Sequence, residues 1–224
     1  GKAATTVKML LNHQSGICAV REKLPDGAYA NWDLIVKAVE KQKPFFEPGT
    51  THGYQALTYG WVLGEVIRRA SGQSLGAFFR SAIGDPLALD FWIGLPEEHE
   101  SRTARMILPE PNLGDPSPFF LAMRDSNSVQ ALALGNSGGY MDLTAEGVRR
   151  FDTRIAHASE IGGAGGLANA RGLAGLYAPL ACGGSLNGVE YVSADILARM
   201  GVVSSASDRD VALLAPMRFS LGFF

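Results

Sequence analysis

Tyr54 is the residue whose position most clearly offers chemistry. It follows a turn set by Pro48 and Gly49, and it precedes a run of helical periodicity that extends to Gly72. A phenol has an unperturbed pKa of about 10, so it acts as a base near neutral pH only where a cation or a helix N-terminus lowers that pKa. The alternative is a tyrosine at an interface whose hydroxyl contacts solvent. The position therefore predicts either a general base or a structural phenol.

Ser137 is a rival nucleophile at the centre of GNSGG (135–139), which matches the G-x-S-x-G pattern of a nucleophile elbow. That elbow needs a strand, a sharp turn and then a helix, with an Asp and a His later in the chain. Residues 140–144 do not begin a helix cleanly, and His157 is the only histidine after Ser137. We therefore expect Ser137 not to act as a nucleophile.

The segment 163–168, GAGGLA, matches the G-x-G-x-x-A pattern of dinucleotide-binding turns. Such a turn must follow a β-strand within a βαβ unit, and the residues before it are polar and of helical character. We interpret the wider segment 162–166, GGAGG, as a flexible link, with the glycine pattern forming a hinge or cleft loop. No nucleotide cofactor is predicted.

The remaining titratable candidates have structural interpretations. His13 invites a role as a base, but a histidine close to a helix C-terminus commonly caps carbonyl groups. Glu97, Glu98 and Glu100 begin a short segment that ends in arginines, which suits the helix dipole and indicates a solvated helix start rather than a glycosidase pair.

The elements that must position Tyr54 are mostly helical. Helices are predicted at 7–13, 32–41, 75–83, 144–158, 168–180 and 194–200 from apolar periodicity and from the capping residues Thr6, Asn31, Ser74, Thr144 and Ser193. Residues 119–135 are predicted to be partly helical, 107–118 to form a proline-rich loop, and 218–224 to form a strand. The helix after Tyr54 carries an apolar stripe made of Tyr59, Val62, Leu63, Val66, Ile67 and Ala70.

Composition excludes several classes of function. The chain has 224 residues, 46% hydrophobic content and a formal net charge of −2, so it can build a core but has no electrostatic basis for binding nucleic acid. Its two cysteines and four histidines show no metal-ligand spacing, and no apolar run is long enough to span a membrane. Neither compartment nor oligomeric state follows from the residues, although the cytoplasm is favoured.

Several segments resemble the serine β-lactamase and penicillin-binding-protein superfamily, and specifically its class C-like branch with the family VIII carboxylesterases. The turn at 48–50, Tyr54 and the Ser-Gly at 71–72 match one family motif in order. Further similarity lies in TVKMLLNHQSGI, DPLALDFWIGLP and ANARGLAGLYAPLACGG, at 6–17, 85–96 and 168–184. The resemblance implies an α+β fold of β-lactamase/transpeptidase type, of which this chain holds mainly the helical region.

The resemblance also implies a function. In the superfamily the tyrosine at the position of Tyr54 works with a lysine to take the proton from a nucleophilic serine, without a metal or organic cofactor. The implied activity is that of a serine hydrolase, most similar to a carboxylesterase, that forms an acyl-enzyme with a small-molecule ester or β-lactam. The alternatives are a β-lactamase or D-alanyl-D-alanine peptidase, and a non-catalytic binding or scaffold protein.

The sequence departs from the family pattern in two respects. It contains no Ser-x-x-Lys motif and no Lys/His-x-Gly motif, which the family places before and after these residues. We therefore expect residues 1–224 to be a partial domain truncated at both ends and inactive by itself.

The tyrosine motif reads Tyr54-Gln55-Ala56, and Ala56 replaces an asparagine that binds the substrate amide in many β-lactamases. This difference favours ester substrates.

Overall fold

The computed structural model describes residues 1–107 and 117–224, so most of the predicted loop at 107–118 lies outside the described residues. Within these ranges most of the regular secondary structure is helical. The α-helices are α1 (Val7–Leu11), α2 (Trp32–Lys41), α3 (Thr58–Ser71), α4 (Leu75–Phe79), α5 (Pro118–Ala122), α6 (Val129–Gly135), α7 (Arg154–Ala158), α8 (Ala170–Ala181) and α9 (Ala194–Met200). A π-helical turn, Arg80–Gly84, extends α4, and 3₁₀-helices lie at Ala28–Ala30, Glu97–Arg102 and Arg150–Asp152.

Four helix starts predicted from capping residues are confirmed. The side chains of Thr6, Asn31, Ser74 and Ser193 each accept a hydrogen bond from a backbone N–H group in the first turn of α1, α2, α4 and α9. These bonds satisfy N–H groups that a helix leaves without an internal partner. Gly72 ends α3 as predicted, with a left-handed φ of 74° and its N–H donating to the Arg68 carbonyl.

Helix α3 buries a different face from the apolar stripe that its periodicity predicts. Its buried face includes Trp61, Gly64 and Glu65, whereas Val66 in the predicted stripe is 37% exposed. The prediction was wrong because the pattern counted only apolar side chains. A Cβ atom at Gly64 would lie 2.5 Å from the Trp32 ring, so the glycine lets α2 approach α3 closely.

Glu65 is buried on this face because three side chains donate hydrogen bonds to its carboxylate. Trp32 Nε1 donates to it at 2.9 Å, and Arg68 and Arg69 donate through their Nε atoms at 2.7 and 2.6 Å. The hydrogen bond from Arg68 is the largest cause that lowers the Glu65 pKa to about 2. The pairing therefore joins α2 to α3 at a position where an unpaired charge would be unfavourable.

The strands in the described part of the chain form three short antiparallel pairs. They are β1 (Phe91–Ile93) with β2 (Gly166–Ala168), β3 (Ser185–Leu186) with β4 (Val189–Glu190), and β5 (Ser205–Ser207) with β6 (Met217–Phe219). The predicted strand at 218–224 is confirmed only over the start of that range, where Phe219 pairs with Ser205. This arrangement agrees with the expectation of a mainly helical region with little sheet.

The predicted helix at 144–158 is wrong in its first half. Thr144 does not cap a helix, because its Oγ1 accepts from Val148 N–H and its own N–H donates to the Val148 carbonyl. Gly147 supplies a φ of 78° at the tip of this tight loop. Only the 3₁₀-turn at Arg150–Asp152 and α7 remain of the predicted helix.

The GGAGG segment, predicted to be a flexible link, packs against the start of α3. A Cβ atom at Gly60 would lie 2.1 Å from Gly163 N, and one at Gly163 would lie 2.7 Å from the Ala56 carbonyl oxygen. The glycines are therefore needed for close contact between two backbones, and the segment continues directly into β2.

The core centres on α2, α3 and the 3₁₀-turn at Ala28–Ala30. Its buried members include Tyr29, Ile35, Leu57, Trp61 and Ile161. This core places the residues just before α3 against the interior. None of the helices in the described ranges combines the length and the apolar character that a membrane span requires.

Candidate active site

Tyr54 lies in a segment without regular secondary structure, 52–55, that precedes α3. The helix begins at Thr58, so Tyr54 precedes α3, in agreement with its position before the run of helical periodicity. Its neighbours His52 and Gln55 are each 1% exposed, whereas Tyr54 itself is half-buried. The segment therefore buries its flanking side chains and leaves the tyrosine partly accessible.

Three consecutive backbone N–H groups fix this segment. Gly53 N–H donates to the His13 carbonyl at 3.1 Å, and Gln55 N–H donates to His13 Nδ1 at 3.1 Å. Between them, Tyr54 N–H donates to both carboxylate oxygens of Asp210, at 3.1 and 3.0 Å. Chain segments far apart in sequence thus set the position of the Tyr54 Cα atom.

The Tyr54 ring lies in an aromatic cluster. Its centroid is 4.9 Å from that of His13, 6.2 Å from that of Phe219 in a stacked arrangement, and 5.9 Å from that of Phe224 at an edge-on angle. Such pairs stabilise a defined ring orientation. The cluster thus holds the phenol against β6 and the residues that follow it.

The described surroundings do not activate Tyr54 as a base. Burial raises the pKa of the Tyr54 hydroxyl above its usual value. The neighbouring His13 contributes no positive charge at neutral pH, because burial lowers its pKa to about 4. The N-terminus of α3 begins only at Thr58, after Tyr54, and the net shift of the Tyr54 pKa is upward. Activation would require a cation from outside the described residues.

His13 is structural, as predicted, but not as a cap for carbonyl groups. It adopts a left-handed φ of 62° directly after α1 and is 5% exposed. Its Nδ1 accepts a hydrogen bond from Gln55 N–H, and its ring packs on Tyr54, Tyr59 and Phe219. Its function in the structure is to hold the segment that carries Tyr54.

Neither Gln55 nor Ala56 offers a side-chain amide to the site, at the place where many β-lactamases have an asparagine. The Gln55 side chain is turned inward, where its Nε2 donates to the Ile17 carbonyl at 3.2 Å. Ala56 is half-buried and has no hydrogen-bonding side chain.

Ser137 does not form a nucleophile elbow. The residues before it are α6 rather than a strand, and Ser137 is 1% exposed with its Oγ accepting from Met141 N–H. The adjacent Asn136 binds backbone groups of Val20, Glu22 and Leu24. The motif is therefore a buried connection between two parts of the chain.

The other candidates from the sequence are structural. Residues 163–168 run from a tight turn into β2, with no strand before them. Glu97 and Glu98 are exposed, as expected, but Glu100 is half-buried and binds Arg154 at 2.9 Å and His157 Nδ1 at 2.9 Å. The prediction that Glu100 is exposed to solvent was wrong. Its contacts with Arg154 and His157 join the 3₁₀-helix Glu97–Arg102 to α7.

An open cavity of about 700 Å³ lies between α2, α3 and α7, and Tyr54 is not part of its lining. Its carboxylates already have partners, because Asp33 pairs with Arg68, and Glu160 accepts from Ser74 Oγ and Gly76 N–H. Within residues 1–107 and 117–224, no group of three or more His, Cys, Asp or Glu residues could hold a metal ion.

Asp210 and His52 are the residues that the sequence analysis missed. Asp210 lies in the connection between β5 and β6, is fully buried, and contacts His52 Nδ1 at 2.6 Å. The histidine could have been noticed, because it lies two residues before Tyr54. The aspartate carried no signal, since 156 residues separate it from the tyrosine whose backbone it binds.

Comparison with known proteins gives a consistent result. The family described as Beta-lactamase matches residues 1–224. Esterase/beta-lactamase LipL of Mycobacterium tuberculosis is 30% identical over 231 residues, which cover 100% of this chain and 51% of LipL. The chain thus spans about half the length of this curated relative.

Solved structures share the fold. A family VIII carboxylesterase is 34% identical with a TM-score of 0.79, over 99% of this chain and 55% of the other. A penicillin-binding protein homologue from Caulobacter crescentus is 28% identical with a TM-score of 0.78, over 99% and 55% of the two chains. The predicted β-lactamase/transpeptidase-like fold and the similarity to family VIII carboxylesterases are confirmed. With its whole length matched, this chain belongs to the beta-lactamase family.

Proposed function

We propose that these residues form the tyrosine-bearing part of a serine hydrolase of carboxylesterase type, and that Tyr54 is its general base. The observation that carries the proposal is the fixed backbone of Tyr54 and its half-buried position, in a chain whose whole length matches the beta-lactamase family. The similarity to LipL, which is named an esterase/beta-lactamase, and to a family VIII carboxylesterase supports an ester substrate.

The complete enzyme, by which we mean these residues together with a segment that carries a Ser-x-x-Lys motif, would act in two steps. The serine oxygen attacks the ester carbonyl carbon while its proton passes to the phenolate of Tyr54, which the lysine cation stabilises. The tetrahedral intermediate then expels the alcohol as Tyr54 returns that proton to the leaving oxygen. Water hydrolyses the resulting acyl-enzyme, and backbone N–H groups stabilise each oxyanion.

The ester assignment is favoured over the β-lactam assignment by Ala56, which offers no amide to a β-lactam side chain. A β-lactamase or D-alanyl-D-alanine peptidase is the alternative enzyme. Comparing kcat/KM for p-nitrophenyl butyrate and a chromogenic cephalosporin distinguishes the two. Faster turnover of the cephalosporin would overturn the carboxylesterase assignment.

A non-catalytic binding or scaffold protein is the second candidate. The similarity to a penicillin-binding protein homologue supports it. The coding sequence upstream of Gly1 separates the candidates. A Ser-x-x-Lys motif there supports the hydrolase, and an upstream reading frame without it supports the binding protein.

The 224-residue chain by itself is expected to form no acyl-enzyme, because it lacks the motif that supplies the nucleophile and its lysine. Intact-protein mass spectrometry after incubation with p-nitrophenyl butyrate measures this directly. The complete enzyme, which should acquire one butyryl group, is the positive control. A stoichiometric butyryl adduct on the 224-residue chain would contradict the proposal, and its loss in a Ser137→Ala variant would assign the chemistry to the GNSGG segment.

A further inference from the structure

We propose that Asp210, assisted by His52, is the positioning residue that holds Tyr54 in place for proton transfer. This inference rests on the proposed function of Tyr54 and adds a second part of the chain to the site. It concerns a buried carboxylate in the connection between β5 and β6, far from Tyr54 in sequence.

Each described hydrogen-bonding contact of the Asp210 carboxylate is with a donor group. Its Oδ1 accepts from the N–H groups of Ala212 at 2.8 Å and Leu213 at 2.7 Å, and both oxygens accept from Tyr54 N–H. Its Oδ2 also lies 2.6 Å from His52 Nδ1. A carboxylate can only accept hydrogen bonds, so it satisfies all four donors at once and requires His52 to donate through Nδ1.

This carboxylate connects two parts of the fold at the site. Val211 N–H donates to the His52 carbonyl at 3.1 Å, next to the bonds from Asp210 to the same segment. Gln130 of α6 donates through Nε2 to the carbonyls of Val211 and Ala212, at 2.8 and 2.9 Å. These bonds fix the connection that carries Asp210. The carboxylate can therefore hold the Tyr54 backbone at a defined position.

Among the described residues, the His52 ring makes its one hydrogen-bonding contact with Asp210. Its Nε2 is buried and has no hydrogen-bond partner in the described ranges, and its ring packs edge-on against Phe219 with centroids 4.9 Å apart. Leaving a buried nitrogen without a partner is unfavourable, so the retained bond through Nδ1 has to compensate. The ring thus fixes the carboxylate that binds Tyr54.

Asparagine has nearly the same shape as aspartate. Its NH₂ group, however, donates hydrogen bonds at a place where one oxygen of Asp210 accepts them. Its NH₂ group would face an N–H of either the Tyr54 segment or the 212–213 turn. In both orientations the NH₂ group also faces Tyr54 N–H, which contacts both oxygens of Asp210, so the Tyr54 backbone is expected to move. Displacement of a reacting group by about 1 Å can lower a rate by about 100-fold, so kcat should fall by about that factor while KM changes little.

The test is a double-mutant cycle in the complete enzyme, with kcat and KM measured on p-nitrophenyl butyrate for Asp210→Asn, Tyr54→Phe and the double variant. If Asp210 acts through Tyr54, Asp210→Asn lowers kcat about 100-fold in the native background and has little effect in the Tyr54→Phe background. Equal effects in both backgrounds, or an unchanged kcat in Asp210→Asn, would overturn the inference.

Two further variants separate positioning from stability. Glu65→Gln changes another buried and fully paired carboxylate, and it should lower the melting temperature without a comparable change in kcat. If Asp210→Asn does not fold, His52→Phe takes its place in the cycle and should show the same dependence on Tyr54. Failure of both to fold would assign the pair to stability alone and overturn the inference. An unchanged kcat in Tyr54→Phe would instead reject the proposed function.

Discussion

Replacing Tyr54 with phenylalanine is expected to lower kcat for ester hydrolysis by the complete enzyme by about 10² to 10⁴-fold, with little change in KM. The variant removes only the oxygen that exchanges the proton, and general acid–base groups typically contribute that factor. The ring contacts with His13 and Phe219 do not involve the hydroxyl and should persist. Steady-state kinetics with p-nitrophenyl butyrate measures both constants.

Tyr59→Phe is the matched control for this prediction. Tyr59 also packs on His13, with ring centroids 4.7 Å apart, and its hydroxyl donates to the Leu11 carbonyl at 3.3 Å. Removing that hydroxyl should cost some stability and leave kcat within about twofold, because the lost bond is one ordinary hydrogen bond. Equal kcat values for Tyr54→Phe and the unmodified enzyme would exclude Tyr54 from the mechanism.

Gly60→Ala is expected to lower the free energy of unfolding of the 224-residue chain by about 3 kcal/mol, at the upper end of the usual range for overpacking. The new Cβ atom would lie 2.1 Å from Gly163 N and 2.6 Å from the Gly162 carbonyl carbon. Both are backbone atoms, so no flexible side chain can move aside. Helix α3 and the GGAGG segment would have to separate. Urea denaturation followed by circular dichroism measures the change.

Gly135→Ala is the corresponding control, because Gly135 ends α6 and a Cβ atom there would have no neighbour within 4 Å. Alanine favours the helix over glycine by up to about 1 kcal/mol, so this variant should be neutral or stabilised. Equal free energies of unfolding for Gly60→Ala and Gly135→Ala would contradict the close contact between α3 and the GGAGG segment.

Local signals in the sequence predicted much of the helical framework. Thr6, Asn31, Ser74 and Ser193 were identified because a capping side chain acts on a backbone N–H two or three residues away, which is visible in the sequence. The resemblance likewise depended on short motifs around Tyr54 that keep their order along the chain.

The features that were not predicted depend on contacts between distant segments. The buried face of α3 is set by Gly60 and Gly64, which allow close approach, and by Glu65, which is buried because it is paired. Neither effect appears in a count of apolar residues. Thr144 also shows that a capping residue can instead close a tight loop when a glycine three residues later provides a positive φ.

The same limit applies to the candidate site. Tyr54 stands out as a candidate because it belongs to a local motif. Asp210 does not, because its contact with the Tyr54 backbone spans 156 residues and depends on where the β5–β6 connection folds. A buried aspartate has no sequence pattern that separates it from an exposed one.

The central claim is that Tyr54 acts as a base once a lysine cation is placed beside it, and the pKa of its phenol tests this most directly. NMR titration of ¹³Cζ-labelled tyrosines can be done on both forms of the protein, and the Tyr54 signal is assigned as the one that is absent from the spectrum of Tyr54→Phe.

In the 224-residue chain we expect a Tyr54 pKa above the usual value of about 10, because burial disfavours the phenolate. In the complete enzyme we expect the pKa to fall well below 10, because a cation favours the phenolate. A Tyr54 pKa that remains above 10 in an active complete enzyme would contradict the claim.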